Sequence, residues 1–180
     1  SVVTPSSSAV ESAPSQPEPV EPVLEPIPRD EWYLKLVNKT NVMTKDEKVT
    51  TAKSVDGIEV DARIVEPLTQ MVAAAKQQGI NLQTVAGYRS YDRQEKSYKS
   101  RVAQFVKDGK SQEEAERLAA DITAPPGTSE HNLGLSVDIQ SKASHDYADN
   151  FKDSAEAKWL LDNAATYGFI LRYPQGKESV

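Results

Sequence analysis

The sequence predicts an α+β domain in which helices cover one side of an antiparallel sheet. Several segments carry apolar residues at the spacings of three and four that helices require, whereas shorter segments alternate apolar and polar residues as strands do. The helices and strands do not follow the regular βαβ order of a parallel sheet, and this decides the class. The length of 180 residues fits one domain plus a tail.

The composition of residues 1–28 predicts a tether that is not part of the folded domain. Proline, serine, valine and glutamate dominate this segment, which contains no glycine. Repeated prolines remove amide donors and fix φ, so neither a helix nor a sheet can grow. We interpret the segment as an extended, acidic spacer with polyproline character, and a disordered tail without consequence is the alternative. The folded domain is then expected to comprise residues 29–180.

Short strands and one helix are expected in the first half of this domain. The density of aromatic and branched residues at 31–38 indicates a strand. Residues 55–60 combine a turn with a short strand, and residues 81–86 alternate like a third strand. Between these two, residues 61–78 carry apolar side chains at helical spacing. Pro67 falls inside that pattern, and we interpret it as part of the first helical turn.

Three helices and a final strand are expected in the second half. The first helix spans 91–108, and the second follows a capping box at 111–114 and runs to about residue 121. The third begins after Ser154, and a strand at 169–173 follows it. The side chains expected to face inward from the first and third helices are Tyr98, Val102, Phe105, Val106, Ala157, Leu160, Leu161 and Ala164.

The most informative stretch is residues 129–138, Ser-Glu-His-Asn-Leu-Gly-Leu-Ser-Val-Asp. Side chains alternate faces along a strand, so the apolar residues of 135–139 would anchor in the core while Asp138 projects from the other face. His131 would lie on the loop that leads into this strand, and Gly134 would allow a sharp turn between them. One imidazole and one carboxylate supply two of the three protein ligands of a typical catalytic zinc site.

Three motifs follow one another along the chain. They are Gly87-Tyr88-Arg89-Ser90, Ser129-x-His131-x-x-Gly134-x-x-x-Asp138 and Gly168-Phe169-x-x-Arg172-Tyr173. In this order they resemble the D-alanyl-D-alanine carboxypeptidase family of the VanY type, and the resemblance covers roughly residues 30–180. It implies a hedgehog/D-Ala-D-Ala peptidase-like fold and a zinc carboxypeptidase that removes the C-terminal D-alanine from peptidoglycan stem peptides. Whether the bond cut is D,D or L,D stays open.

The resemblance also implies roles for individual residues. His131 and Asp138 would bind Zn²⁺, whereas Arg89, Gln94 and Ser129 would bind the substrate. A guanidinium fork suits either a free C-terminal carboxylate or a developing oxyanion. Without the resemblance, these residues have ordinary alternatives as surface, capping or loop residues. Three tyrosines are equally consistent with lining the pocket and with packing in the core: Tyr88, Tyr91 and Tyr173.

One expected element of the family lies outside the sequence. In the family, Glu-x-Trp-His follows the Arg-Tyr strand and carries the general base and the third zinc ligand, but this sequence reaches Val180 without it. Three explanations stay open: a C-terminally incomplete form of an enzyme, which we favour; a natural relative that binds muropeptides without cutting them; or substitution by His145. We therefore expect the general base beyond Val180 and little activity from residues 1–180 alone.

The charge balance, the cysteine content and the lengths of the apolar runs limit the kinds of partner and site that this chain can have. The 27 acidic and 21 basic residues give a net charge of −6, which argues against nucleic-acid binding through a basic face. Cysteine is absent, and this excludes disulfides and thiolate metal sites. No apolar run approaches the ~18 residues of a membrane span.

We expect a monomer that acts on peptidoglycan at the cell surface, held by an anchor upstream of the tether. A structural cell-wall protein is a further alternative.

Overall fold

The computed structural model describes residues 31–141 and 151–172. The predicted tether, His145 and Tyr173 lie outside the described residues. The helices are α1 (Val65–Gln77), α2 (Tyr91–Lys107), α3 (Gln112–Ile122) and α4 (Ala155–Asn163). The strands are β1 (Thr51–Lys53), β2 (Glu59–Asp61), β3 (Leu82–Ala86) and β4 (Asp138–Ser141). Short 3₁₀ turns lie at Trp32–Leu34, Ala62–Ile64, Glu130–Leu133, Phe151–Asp153 and Ala164–Tyr167.

The predicted α+β class is confirmed, although the described strands form two separate antiparallel pairs instead of one sheet. β1 pairs with β2, and β3 pairs with β4. In the second pair, Thr84 lies opposite Ile139 but Ala86 lies opposite Asp138, so that Val85 is one residue too many in β3. Such an insertion bends the strand and re-aims the side chains beside it. Here the irregularity falls where β3 leads into the Gly87–Ser90 loop.

The main core lies between α1, β3 and α4. Its buried members are Val60, Ile64, Leu68, Met71, Ala75, Leu82 and Trp159. The apolar side chains Leu135, Val137 and Ile139 pack against this core, as the alternation in the sequence predicts. A smaller cluster of Val37, Met43 and Leu133 lies beneath the 129–138 motif. The motif is therefore held by apolar contacts on both sides of its glycine.

Local capping signals in the sequence are confirmed. The hydroxyls of Ser111 and Ser154 accept hydrogen bonds from the amides of Glu114 and Ala157, and these bonds begin α3 and α4. A serine cap satisfies one of the amide groups that a helix start leaves unpaired. Pro67 occupies the first turn of α1, where its missing amide costs no helical hydrogen bond.

The prediction of a strand at 31–38 is wrong. The chain forms a short turn at Trp32–Leu34 and continues without regular structure. Its aromatic residues contact side chains instead of a neighbouring strand. The Arg63 guanidinium lies 4.0 Å from the Trp32 ring centroid, and the Tyr33 ring meets the Trp32 ring edge-on. Aromatic composition favours a strand where pairing and packing against neighbours are available. Among the described residues, this segment has no partner strand.

The predicted strand at 169–173 is also wrong over its described part, residues 169–172. Gly168 turns the chain in the left-handed region, with a φ of 82°. Ile170 follows at 81% exposure, and none of the described strands runs beside it. An apolar run therefore marks a strand only when a neighbour supplies hydrogen bonds, which is the information that the sequence lacks at this position.

The predicted inward faces of the helices are largely correct. Val106 and Leu161 are the exceptions, because both are exposed. In α4, the buried residues are Ala157, as predicted, and Trp159, whose ring stacks on Tyr167 with 6.4 Å between the centroids. The bulk of the indole explains the difference, because it buries more apolar area than a leucine does. None of the helices in the described ranges has the length and apolar character needed to span a membrane.

Asp61 ends β2 and is a buried charge. Its side chain is only 3% exposed, and its two carboxylate oxygens accept hydrogen bonds from Nε and Nη2 of Arg63 at 2.9 and 2.6 Å. The hydrogen bonds from Arg63 lower the pKa of Asp61, although burial acts in the opposite direction. The amide of Asp61 also donates to the carbonyl of Gly134 at 2.9 Å. Asp61 thus connects β2 to the 129–138 motif.

The substitution Asp61→Asn is expected to lower the free energy of unfolding by roughly 1–3 kcal/mol at neutral pH, because an amide replaces a charged acceptor. The unfolded pKa of an aspartate is about 3.9, and the folded pKa of Asp61 is lower. Its stabilisation is therefore complete well above about pH 4 and is lost as the pH falls through the folded-state pKa.

Urea unfolding at a series of pH values measures this effect. The difference between wild type and Asp61→Asn should be constant from about pH 6 to about pH 8 and should shrink below about pH 4. Asp162→Asn, at an exposed position of α4, is the control and should change little at any pH. A difference for Asp61→Asn that stayed constant down to the lowest pH would contradict the role of its charge.

Candidate metal and substrate site

His131 lies in the short turn Glu130–Leu133 and points one ring nitrogen at a fixed acceptor. Its Nδ1 is 2.7 Å from the carbonyl oxygen of Gly87. Because a carbonyl can only accept, Nδ1 carries a hydrogen, and in the neutral imidazole Nε2 therefore has the lone pair. A metal-binding histidine commonly has its second nitrogen held in this way.

Asp138 opens β4 and brings its carboxylate to the same place. Its Oδ1 lies 3.5 Å from Nε2 of His131, and its side chain is 58% exposed. The hydrogen bond with Asp138 raises the pKa of His131, and the same bond lowers the pKa of Asp138. The pair therefore attracts positive charge, which a proton or a divalent cation can supply.

The donor set fits a zinc ion, since a neutral imidazole nitrogen and a carboxylate oxygen are both common zinc ligands. Within residues 31–141 and 151–172, no group of three or more histidine, cysteine, aspartate or glutamate side chains could hold a metal ion. The structure brings His131 and Asp138 together, and their role as two ligands of such a site stays a prediction. The third ligand and the general base that we expect beyond Val180 stay a prediction.

Arg89 lies on the loop between β3 and α2 and is bound directly to the His131 turn. Its amide donates to the carbonyl of His131 at 2.9 Å, and its own carbonyl accepts from Nδ2 of Asn132 at 2.6 Å. The charge of Arg89 makes a smaller contribution to the pKa values of His131 and Asp138, lowering both. The guanidinium therefore acts electrostatically on that pair.

Gln94 supports Arg89 from the first turns of α2. Its Oε1 accepts from Nη1 of Arg89 at 3.0 Å, and its Nε2 donates to the carbonyl of Ala124 at 2.6 Å. Gln94 is fully buried, and both polar atoms of its amide are engaged. Gln94 thus binds Arg89 itself, and its predicted contact with the substrate stays a prediction.

Ser129 is buried one residue before the turn that carries His131. Its hydroxyl does not cap that turn, while its backbone carbonyl accepts from the amide of Asn132 at 2.9 Å. The capping alternative for Ser129 is thus disfavoured, and its predicted contact with the substrate stays untested. Of the tyrosines, Tyr91 packs close to Gly127, whereas the amide of Tyr88 is bound to the carbonyl of Glu59.

Two contacts at the site are absent from the sequence-based prediction. One is the hydrogen bond from Asn132 to Arg89. The other is the ion pair between Glu130 and Arg172, in which Nε lies 2.6 Å from Oε1. Arg172 belongs to the third motif, and the sequence contains no signal that pairs it with Glu130.

A separate groove of about 470 Å³ lies between the N-terminal segment and the β1–β2 pair. It is lined by Trp32, Lys35, Met43, Glu47, Lys48, Val49, Thr50, Asp61, Ala62, Arg63, Leu133 and Leu135. Neither His131 nor Asp138 contributes to it. Its two acids are already paired, Glu47 with Lys35 and Asp61 with Arg63. The groove is therefore separate from the chemistry of the histidine–aspartate pair.

Comparison with known proteins gives consistent matches. A family model described as VanY, D-alanyl-D-alanine carboxypeptidase, matches residues 57–180. A D-alanyl-D-alanine carboxypeptidase of Enterococcus faecalis is 33% identical over 150 residues, which are 83% of this chain and 54% of that protein. The chain spans little more than half the length of the curated relatives that it matches first.

Solved structures show the same likeness. The vancomycin resistance D,D-pentapeptidase VanY, crystallised with Zn(II), is 33% identical and aligns with a TM-score of 0.65 over 82% of this chain and 80% of its own. The LD-carboxypeptidase LdcB is also 33% identical, with a TM-score of 0.72 over 81% of this chain and 69% of its own. These two matches show that the chain has the fold of these proteins over about four fifths of its length.

Proposed function

The chain belongs to the VanY D-alanyl-D-alanine carboxypeptidase family, and from this we propose that it supplies the metal and substrate site of a zinc-dependent carboxypeptidase. The substrate that we propose is a peptidoglycan stem peptide, from which the enzyme removes the C-terminal D-alanine. The observation that carries the proposal is the approach of His131 Nε2 to Asp138 Oδ1 at 3.5 Å beside Arg89. One nitrogen, one carboxylate and one guanidinium are among the groups that a metallo-carboxypeptidase needs.

His131 and Asp138 are the residues that would hold Zn²⁺. When bound, a zinc ion polarises a scissile carbonyl and lowers the pKa of a bound water to about 7. The carbonyl of Gly87 keeps Nε2 of His131 free for this purpose. A glutamate outside residues 1–180 is the expected general base, which would take a proton from the attacking water and pass it to the leaving amine.

Arg89 is the residue that would recognise the end of the substrate. A guanidinium binds a carboxylate through two parallel hydrogen bonds, and Gln94 restricts its orientation from behind. Ser129 is proposed to add a hydroxyl contact to the same carboxylate. A peptide bound in this way would present its last amide bond to the His131–Asp138 pair.

The proposal is tested on the product of the whole reading frame that encodes this chain. We expect zinc-dependent release of D-alanine, measured by chromatography, from a pentapeptide that ends in D-Ala-D-Ala or from a tetrapeptide that ends in a single D-alanine. The preferred peptide separates D,D from L,D specificity. Removing the metal with a chelator should abolish release, and adding Zn²⁺ should restore it. A zinc-loaded protein that binds both peptides but cuts neither would favour the muropeptide-binding alternative.

The substitution Arg89→Ala is expected to reduce kcat/KM by about ten- to a hundredfold, because a charged, bidentate contact with the substrate is lost. Most of this loss should appear as a higher KM if Arg89 binds the terminal carboxylate, and as a lower kcat if it stabilises the oxyanion. Arg93→Ala, at an exposed position in the first turn of α2, is the matched control. Equal kcat/KM values for Arg89→Ala and wild type would remove Arg89 from the site.

We further propose that the protein works at the cell surface as a monomer. Support comes from the composition of residues 1–28, which suits a spacer, and from the location of the proposed substrate in the cell wall. The anchor that we expect lies upstream of this spacer. Fractionation of cells that express the native gene tests the proposal, and recovery of the protein from the cytoplasm alone would contradict it.

A further inference from the structure

Asn132 is a buried polar residue at the centre of the site. Its side chain is 1% exposed, and its Nδ2 donates to the carbonyl of Arg89 at 2.6 Å. This bond fixes the orientation of the amide, because the opposite orientation would place two acceptors against each other. Among the described residues, its buried Oδ1 has no hydrogen-bond partner. A buried carbonyl without a partner reduces stability, so the hydrogen bond to Arg89 is the contact that argues for a specific role of this side chain.

The hydrogen bond from Asn132 is one of two that join the backbone of Arg89 to the turn that carries His131. The amide of Arg89 donates to the carbonyl of His131 at 2.9 Å, while the carbonyl of Arg89 accepts from the next residue of the turn, Asn132. Both backbone groups of Arg89 are thus bound to two consecutive residues, in the way that paired strands exchange hydrogen bonds. Any displacement of the Arg89 backbone relative to His131 must break at least one of these bonds.

Two other contacts hold the neighbouring groups. Nδ1 of His131 is bound to Gly87, two residues before Arg89, and the Arg89 guanidinium is bound to Gln94. The imidazole and the guanidinium each have their own support. Asn132 is the side chain that fixes the backbone between them. The distance between the metal-binding and the carboxylate-binding groups therefore depends on its amide.

We infer that Asn132 is a positioning residue that sets the place of Arg89 relative to the His131–Asp138 pair, through the hydrogen bond from its amide to the carbonyl of Arg89. The inference rests on the proposed function, since it assigns Arg89 to substrate binding. It predicts that the loss of this amide weakens the binding of a peptide carboxylate and leaves the metal ligands in place. Zinc binding should be spared because the His131 ring is oriented by the carbonyl of Gly87, and not by Asn132.

A double-mutant cycle tests the inference with the product of the whole reading frame, loaded with zinc. The probe is the dipeptide D-alanyl-D-alanine, and its Kd is measured by titration calorimetry. Asn132→Ala should weaken binding by about tenfold in the wild-type background and by less than about twofold in the Arg89→Ala background, because contacts that act through one another are not additive. Zinc affinity should stay within about threefold of wild type in both backgrounds.

Three further variants keep the test decisive. Asn132→Gln retains the amide and should recover part of the affinity. If Asn132→Ala fails to fold, Asn132→Ser takes its place, because its shorter side chain fills part of the space without reaching the carbonyl of Arg89. Asn163→Ala removes a similar bond, from an amide to the carbonyl of Trp159 in α4, and should leave dipeptide binding unchanged.

The outcomes separate this inference from the proposed function. If Arg89→Ala weakens dipeptide binding but Asn132→Ala costs the same factor in both backgrounds, the positioning role is refuted and the proposed role of Arg89 stands. If Asn132→Ala lowers zinc affinity as much as dipeptide affinity, Asn132 is a general structural support and the inference also fails. If Arg89→Ala itself leaves dipeptide binding unchanged, the substrate role of Arg89 and the inference fall together.

Discussion

His131→Ala is expected to lose bound zinc and to reduce peptide hydrolysis by at least about a thousandfold. A catalytic metal stabilises the transition state by several kcal/mol, and each 1.36 kcal/mol corresponds to a factor of ten in rate. Alanine removes Nε2, which is the one nitrogen that the Gly87 carbonyl leaves available beside Asp138. Zinc content is measured by atomic absorption after dialysis, and the rate by release of D-alanine from the product of the whole reading frame.

His145→Ala is the matched control, because it removes the other histidine of the sequence. It should retain both zinc and activity. This comparison also tests the alternative in which His145 serves as a metal ligand, since that alternative predicts loss of zinc from both variants. If His131→Ala bound as much zinc as wild type, the assignment of the metal site would be wrong, whatever the rate of hydrolysis.

Gly134→Ala is expected to destabilise the domain by about 2–5 kcal/mol, as the sum of a left-handed backbone and a steric overlap. Gly134 has a φ of 71°, a conformation that alanine adopts at a cost. A Cβ atom there would lie 2.8 Å from the backbone nitrogen of Asp61. That nitrogen cannot move easily, because it donates to the carbonyl of Gly134 itself.

The matched control for Gly134→Ala is Gly79→Ala. Gly79 also has a positive φ, 78°, but a Cβ atom there would meet nothing within 4 Å. This variant should cost only the conformational part, about 1–2 kcal/mol. Chemical unfolding of both variants gives the difference, which is the steric part. Gly134→Ala should also lower zinc content, because displacing the turn moves His131 relative to Asp138. Equal stability losses in the two variants would show that the close approach to Asp61 is unimportant.

The parts of the fold that depend on local chemistry were predictable from the sequence. Ser111 and Ser154 cap helices, Pro67 lies in a first turn, and Gly134 occupies a left-handed position between a histidine and a strand. Each of these features requires particular atoms within a few residues of one another. Backbone rules that act over such short distances can be recognised without knowledge of the tertiary structure.

The parts that depend on distant partners were not predictable in this way. Residues 31–38 have the composition of a strand but no partner strand among the described residues. Thr51–Lys53, which was not predicted as a strand, pairs with β2. At the site, His131, Asp138 and Arg89 were identified by their motifs, and the structure brings them together. The bonds that position them involve Asn132 and the carbonyl of Gly87. A backbone carbonyl has no signature in a sequence, and one asparagine among many carries too little information.

The extra residue at Val85 bends the end of β3 and so sets the direction in which the Gly87–Ser90 loop leaves the strand. Deleting Val85 would leave Thr84 and Ala86 as consecutive residues opposite Ile139 and Asp138, in an even ladder. The bend would then be lost, and the loop would leave β3 in another direction. We expect this change to break the two hydrogen bonds that tie the backbone of Arg89 to the histidine turn. Grafting the three motifs onto another scaffold would therefore fail unless this irregular step were transferred with them.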